Sequence, residues 1–153
     1  MALKVLIATE GIFAFLGFMS GFFLLFSPSG KAMGLSLDLL KNTPVGDFAL
    51  VGLFFVAFYG LLPAKAAYGL WTQRRWRWSD VLDKWTGQHW AWTASAALGI
   101  ILVVWIVVEV ILLGFLSGIG GVLQVGMTAL GLFVLALVML PSVRSSTKVE
   151  DSP

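Results

Sequence analysis

Residues 98–113 read LGIILVVWIVVEVILL, an apolar run in which Glu109 is the one charged residue. With its flanks, from about residue 90 to 115, this run exceeds the roughly 20 apolar residues that a helix needs to cross a bilayer. Three further apolar runs accompany it, so we expect helices at about residues 4–26, 44–71, 90–115 and 122–140. The sequence therefore predicts an all-α, polytopic membrane protein with four transmembrane helices in an up-down bundle.

The composition excludes several classes of protein. Of the 153 residues, 59% are hydrophobic and 12% are charged, whereas a soluble domain has about 25% charged residues. The chain has no cysteine and a single histidine, His89, which argues against disulfides, iron-sulfur clusters and histidine-ligated metals or haem. It also lacks a basic soluble module that would bind nucleic acid. We therefore expect no cofactor and no nucleic-acid partner.

The connections and the end of the chain are more polar. Residues 31–43 and 79–86 each predict a short helix lying in the membrane interface, and residues 142–153 a polar tail. Thr43 and Pro44 are typical of a helix start, and Pro63 should kink the second helix.

For the 79–86 helix, Ser79 is the predicted cap. Val81, Leu82 and Trp85 should share one side of it, and Asp80, Asp83 and Lys84 should face water.

The positions of the basic residues predict an orientation. Four spans place both termini and the connection between the second and third helices on one side of the membrane. The cations on that side are Lys4, Lys65, Arg74, Arg75, Arg77, Lys84, Arg144 and Lys148, against Lys31 and Lys41 on the other. Because positive charge favours the cytoplasmic side, we expect both termini in the cytoplasm and the protein in an inner or plasma membrane.

Charged residues inside a bilayer are costly and therefore mark candidate functional sites. Glu10 in the first helix and Lys65 in the second fall at a similar depth, where an ion pair would neutralise both. Alternatively, Lys65 extends to the lipid headgroups while Glu10 is neutral or bonds to a hydroxyl. Ala14, Gly17 and Gly21 share the face of Glu10, and such small residues favour close helix packing.

Glu109 is the most conspicuous of these residues because its neighbours are all apolar. Its carboxyl group needs a hydrogen-bond partner, and Gln124 in the fourth helix lies at a compatible depth. The functional interpretation is a proton carrier or a polar anchor in a cavity open to the outside. The structural interpretation is a hydrogen bond between helices.

Asp47 and Lys65 are 18 residues apart, or five helical turns, and so share a face of the second helix. Phe54 and Phe58 lie between them and could border a lipid-like or apolar ligand, although ordinary helix packing would give the same pattern. Asp47 also suits the positive end of the helix dipole.

The connection between the second and third helices is rich in tryptophan and arginine. This pattern is typical of an interfacial anchor, with rings at the interface and guanidinium groups on phosphate. Recognition of an acidic lipid or of a partner subunit is the alternative. The predicted anchor residues are Trp71, Arg74, Arg75, Trp76, Arg77, Trp78 and Trp85.

Short motifs occur in order along most of the chain. They are Pro28-Ser29-Gly30, Gly34-Leu35-Ser36-Leu37, Pro44-Val45-Gly46-Asp47-Phe48, Gly69-Leu70-Trp71, Trp105-Ile106-Val107-Val108-Glu109-Val110 and Leu140-Pro141-Ser142. In these motifs the chain resembles a widespread, uncharacterised family of small four-helix bacterial integral membrane proteins. The resemblance implies four membrane helices, and it implies no established activity and no catalytic residue.

These features favour a non-enzymatic accessory or structural subunit that packs with other membrane proteins or with copies of itself, in contact with membrane lipids. The alternative is a small transporter, or a binder of a lipid or apolar ligand, that uses Glu109, Asp47 and the strip formed by Phe54 and Phe58. A membrane enzyme acting on a lipid is the least supported reading, because no acid, base and nucleophile meet at one depth.

Overall fold

The computed structural model describes residues 1–76 and 79–149, except for the side chain of Ile119. In this part of the chain all regular elements are helices. The long ones are α1 (Ala2–Phe26), α2 (Ala49–Thr72), α4 (Trp90–Leu113) and α5 (Ile119–Met139), and the short ones are α3 (Asp80–Thr86) and α6 (Pro141–Ser146).

Four helices of the described chain are long and apolar enough to cross a membrane, as the sequence predicts. α4 ends at Leu113, slightly earlier than expected, because Gly114 has a φ of 78° and turns the chain out of the helix. α5 accordingly begins at Ile119, before the predicted residue 122.

The predicted start of the second helix at residue 44 is wrong, since α2 begins at Ala49. The Thr43 hydroxyl donates to Leu40 O at 2.9 Å and thereby closes the preceding turn instead of capping a helix. The backbone N–H of Phe48 donates to Pro28 O at 2.9 Å. The first bond joins residue 43 to the preceding 3-10 turn, and the second joins residue 48 to the turn that follows α1.

Pro63 is buried within α2. Where the sequence predicts a kink, the structure has a π-helical segment, Phe55–Leu61, which ends two residues before Pro63. Proline has no N–H with which to bond the carbonyl four residues earlier, here that of Tyr59. The π segment, whose hydrogen bonds span five residues, thus lies directly before this interruption.

The two predicted interfacial helices differ in outcome. α3 coincides with the predicted helix at 79–86, whereas residues 31–43 contain two short 3-10 turns, Lys31–Met33 and Leu37–Leu40, in place of one helix. Gly34, with a φ of 68°, separates these turns because it adopts a left-handed conformation.

In α3, Asp80 and Lys84 are exposed as predicted, whereas the prediction for Asp83 is wrong. Asp83 is buried, whereas Val81 and Trp85 are exposed. Ser79 precedes the helix, but its hydroxyl donates to Trp76 O at 2.8 Å and does not cap α3. The inward face therefore carries Leu82, which packs on the apolar core, and Asp83 next to it.

All four long helices contribute to the core at the end that carries both termini, which we call the terminal end. Buried residues there include Leu6 of α1, Leu70 of α2, Trp90 of α4 and Val138 of α5, and Val143 of α6 covers them. A middle cluster contains Phe13, Tyr59, Leu98 and Leu102. At the opposite, distal end, Leu24, Leu40 and Phe48 join α1 to α2 and their connection.

Glycines allow the backbones of neighbouring helices to approach closely. A Cβ atom at Gly17 would overlap the Tyr59 carbonyl of α2. Gly99 of α4 and Gly131 of α5 face each other in the same way, since a Cβ at either would lie 3.0 Å from the carbonyl oxygen of the other. The close packing predicted for the face of Gly17 and Gly21 is therefore confirmed, and it occurs within the chain.

The end of the chain is more ordered than the predicted polar tail. Residues 141–146 form α6, in which Val143 is buried, and Thr147 is buried after it. Thr147 Oγ1 donates to Gln88 Oε1 at 2.8 Å, and an isolated antiparallel bridge pairs Gln88 with Lys148. The tail up to Val149 thus folds back on the connection between α3 and α4; residues 150–153 lie outside the described chain.

Candidate functional site

Glu109 and Gln124 form the predicted hydrogen bond between α4 and α5. Gln124 is 2% exposed, and its Nε2 donates to Glu109 Oε1 at 3.0 Å and to Gly114 O at 3.4 Å. Its Oε1 accepts the backbone N–H of Leu116 at 3.0 Å. One amide side chain thus connects α4, α5 and the turn between them, which supports the structural interpretation of Glu109.

The apolar cleft at this end of the protein is not lined by Glu109. A cleft of about 570 Å³ opens beside the turn between α4 and α5, and its lining residues, which include Phe115, Leu116 and Val122, are mostly apolar and do not include Glu109.

The strip of Phe54 and Phe58 is filled by aromatic packing. The Phe54 ring stacks on Trp105 with centroids 3.9 Å apart and contacts Phe58 at 4.8 Å and Tyr59 at 5.4 Å. Phe13 of α1 packs on the other side of Tyr59 at 5.2 Å. These contacts support ordinary helix packing over an open ligand groove.

Asp47 lies outside the spans, in the connection before α2, and is exposed. Its Oδ1 accepts the backbone N–H of Ala49 at 2.9 Å. It thus satisfies the N–H of the first residue of α2 from one position before the N-cap residue, Phe48, and its charge suits the positive end of the helix dipole. Lys65 lies near the other end of the same helix, so the structure does not bring these two residues into one site.

Glu10 and Lys65 do not form the ion pair that the sequence suggested. The pairs within the described residues are Lys41–Asp38 and Arg75–Asp83. Lys65 is exposed because Pro63, Ala66 and Ala67 occupy the buried face of this part of α2. Its long side chain can extend to the end of the helix, as the alternative interpretation had it.

Glu10 is instead 0% exposed, and neither of its carboxyl oxygens has a hydrogen-bond partner in the described chain. The Ser95 hydroxyl of α4 lies beside it. That hydroxyl donates to Ala91 O at 2.9 Å, and its geometry to Glu10 does not meet that of a hydrogen bond. Tyr59 is a second buried residue whose hydroxyl lacks a partner among the described residues.

The tryptophan-rich connection divides into exposed and internal rings. Trp71 and Trp85 are 76% and 84% exposed, Trp76 is partly exposed, and Arg74 is exposed. The predicted anchor residues Arg77 and Trp78 lie outside the described residues.

By contrast, the indole rings of Trp90 and Trp92, which follow the connection, form hydrogen bonds inside the protein. Trp90 Nε1 donates to Arg74 O, and Trp92 Nε1 donates to Val138 O, both at 2.9 Å. Each N–H of these rings is therefore used to hold one segment of the terminal end against another.

His89 fixes the connection to the start of α4. Its Nδ1 accepts the backbone N–H of Ala91 at 3.3 Å, so the proton lies on Nε2, which donates to Arg74 O at 3.0 Å. Its own backbone N–H donates to Thr147 O at 2.7 Å. Burial lowers the pKa of His89, opposed in part by the Arg74 carbonyl and the Asp83 carboxylate.

Sequence reasoning used His89 only to exclude metal sites and thus missed this role. Its position between Gly87-Gln88 and an apolar run was the available signal, because that is where a helix cap belongs.

Asp83 also has a role that the sequence did not indicate. It is 3% exposed, and Arg75 Nε lies 3.9 Å from its Oδ2. Neither carboxylate oxygen has a hydrogen bond within the described chain. Arg75 is thus the cation of the described chain that pairs with this buried carboxylate.

Comparisons with protein-family models, with curated proteins and with solved structures gave no match. The resemblance to small four-helix bacterial membrane proteins therefore stays a prediction. Among the residues that the structure describes, no group of three or more His, Cys, Asp or Glu side chains is placed to hold a metal ion.

Proposed function

We propose that this chain is a non-enzymatic integral membrane protein that serves as an accessory or structural subunit. In this proposal α1, α2, α4 and α5 cross an inner or plasma membrane as an up-down bundle, with the terminal end in the cytoplasm. Their length and apolar composition support the spans, and the excess of Lys and Arg at the terminal end supports the orientation. We also propose membership of the small four-helix bacterial family.

The surface around Gly11 and Gly126 is the observation that carries the subunit role. No described atom lies within 4 Å of a Cβ placed at either residue, whereas a Cβ at any other described glycine of the long helices would meet neighbouring atoms. Exposed apolar side chains surround each one, such as Ile12 on α1 and Val122 on α5. Small residues on a lipid-facing surface let another helix approach closely.

The polar residues within the spans support the same role. Gln124 binds Glu109 and the turn beside it, and Glu10 is enclosed among the helices. This arrangement supports a role in packing between helices, and among the described residues these side chains form no constellation of acid, base and nucleophile.

The test is native mass spectrometry of the full chain extracted from its own membrane, for the wild type and for Gly11→Leu and Gly126→Leu. Because both sites are open, each variant should keep its fold, as measured by circular dichroism and size exclusion. We expect the wild type to carry a partner subunit or further copies of itself at fixed stoichiometry, and each variant to lose them.

Val107→Leu is the matched control, since Val107 is exposed on α4 and the change also adds bulk to the apolar surface. It should leave the assembly intact. A wild-type protein that is monomeric under mild extraction, or an assembly that survives both glycine substitutions, would contradict the subunit role.

The second candidate function is a small transporter. The residue that supports it best is Glu10, whereas the sequence analysis proposed Glu109. A carboxyl group fully buried without a hydrogen bond is unusual within a membrane span. If it carries protons, the reconstituted wild type should dissipate a pH gradient in liposomes. Glu10→Gln should abolish that flux and Glu109→Gln should not. Equal leakage from protein-free liposomes would exclude this function.

A further inference from the structure

A polar cleft of about 430 Å³ opens at the terminal end, between the segment that follows α2 and the segment that follows α6. Most of its lining comes from side chains that carry a positive charge or a hydrogen-bond donor. These are Gln73, Arg75, His89, Ser145, Thr147 and Lys148.

The two walls of the cleft are held together by backbone hydrogen bonds. His89 N–H donates to Thr147 O at 2.7 Å, and Val149 N–H donates to Gly87 O at 3.2 Å. The side chain of Thr147 adds its bond to Gln88. The backbone of Lys148, between these anchored residues, is therefore held in the wall formed by the tail, and Arg75 belongs to the wall formed by the segment after α2.

The charged side chains of the described residues that line the cleft are those of Arg75 and Lys148. Within the described chain no acidic side chain lines it and Lys148 has no acidic partner, whereas Arg75 also pairs with Asp83, which is not part of the lining. The side chain of Arg75 is 45% exposed, and its contact with Asp83 at 3.9 Å is too long for a hydrogen bond, so no acidic residue of the described chain takes up its guanidinium donors.

Two other groups at this end are already engaged. Both ring nitrogens of His89 are hydrogen-bonded, so the neutral ring forms part of the wall and does not bind an anion directly. Arg144 lies over the Trp92 ring, 6.0 Å from its centroid. Among the described residues, Arg75 and Lys148 are therefore the cations that line this space.

We propose that the cleft binds a phosphate group, with Arg75 supplying paired N–H donors and Lys148 a second charge. Gln73 contributes a further N–H, because its Nε2 donates one hydrogen to Leu70 O and retains another. Planar guanidinium donors match the oxygens of a phosphate, and basic pockets at the ends of membrane helices suit lipid headgroups. The exposed rings of Trp71 and Trp85 belong to the same end, where headgroups would lie.

The experiment places the full chain in nanodiscs of phosphatidylcholine, with or without phosphatidylglycerol, and counts the lipids retained in native mass spectrometry. Lys148→Gln is the main variant, since Lys148 is exposed and the change is safe for folding. We expect it to reduce retention of phosphatidylglycerol about fivefold. Lys84→Gln, at an exposed site on α3 outside the cleft, should leave retention unchanged.

Arg75 needs a more careful substitution because it also compensates Asp83. Arg75→Lys keeps the charge but removes the paired donors, and we expect it to weaken retention while circular dichroism stays unchanged. Inorganic phosphate, titrated onto protein in phosphatidylcholine alone, distinguishes the source of the group. Saturable binding that Lys148→Gln removes assigns the cleft to free phosphate, whereas an effect confined to phosphatidylglycerol assigns it to lipid.

Equal retention by wild type, Lys148→Gln and Lys84→Gln, together with no saturable phosphate binding, would overturn the proposal. The result does not depend on the subunit role, because Gly11 and Gly126 are not part of the cleft.

Discussion

Gln124 shows how a single polar side chain organises the distal end. It is buried, and its amide bonds Glu109, Gly114 O and the Leu116 N–H, so two helices and their turn share one partner. In apolar surroundings, an amide that makes all of these hydrogen bonds makes the packing more rigid. An amide left without them would lower the stability of the fold, because a buried polar group would be unsatisfied. Glu109 is accordingly the acceptor of a hydrogen bond that joins α4 to α5.

A double-mutant cycle measures the bond between Glu109 and Gln124. Glu109→Leu and Gln124→Leu should each lower the free energy of unfolding, measured in mixed detergent micelles. The coupling between the two should be about 0.5 to 1.5 kcal/mol, as for hydrogen bonds between membrane helices. Glu109→Gln should retain most of the coupling because its amide oxygen still accepts. Strictly additive effects would show that the bond does not stabilise the fold.

His89 predicts a dependence of stability on pH. Because burial lowers its pKa in the folded state below the ordinary 6.5, the folded protein favours the neutral ring. Its contribution is fully present above about pH 6.5 and is lost as the pH falls towards the lowered pKa. Protonation would also remove the Nδ1 acceptor for Ala91 N–H.

Unfolding free energies between pH 8 and 5 test this, compared with His89→Asn, whose side chain can still accept the Ala91 N–H. The wild type should lose more stability than the variant over this interval. If the free energy of unfolding changed equally with pH in the two proteins, the pH dependence would come from groups other than His89.

At the scale of elements, α1 and α2 are held at their closest approach by Gly17 against the Tyr59 carbonyl. That carbonyl lies in the π-helical segment, four residues before Pro63, which cannot donate to it. The glycine and the π segment thus occur where the regular bonding of α2 is interrupted.

Gly17→Ala should therefore separate α1 from α2 and lower the free energy of unfolding by about 1 to 3 kcal/mol, the usual cost of overpacking. Gly11→Ala is the matched control on the same helix, since nothing lies within 4 Å of its Cβ, and it should change stability by less than about 0.5 kcal/mol. Equal effects in the same micelle assay would mean that the two helices do not meet as described.

Apolar patterning was sufficient to predict the four long helices, but not where their ends or partners lie. Pro44 resembles the first residue of a helix, and only the bonds of residues 43–48 to the preceding turns show that α2 starts later. The Glu109–Gln124 bond could be predicted because two polar residues face each other across adjacent helices.

The contact of Thr147 with Gln88 joins segments 59 residues apart, and no local pattern indicates it. The basic cleft could not be predicted for the same reason, since Arg75 and Lys148 meet only when the tail folds back on the connection.

At the scale of the whole molecule, the two ends differ in character. The terminal end combines the common core of the four long helices with α3, α6, the basic cleft and exposed tryptophans. The distal end has the apolar cleft beside the turn between α4 and α5 and the connection with Lys31 and Lys41. We propose that this asymmetry sets the protein across the membrane with its basic end in the cytoplasm.

Cysteine accessibility tests that arrangement most directly, because the chain has no cysteine of its own. Single variants Ser145→Cys, Asn42→Cys and Val107→Cys are treated with a membrane-impermeant maleimide in intact cells and in inverted vesicles. We predict labelling of Asn42→Cys only from outside, of Ser145→Cys only in inverted vesicles, and of Val107→Cys from neither side. Labelling of residues 42 and 145 from the same side, or free labelling of residue 107, would contradict a four-span protein with a cytoplasmic terminal end.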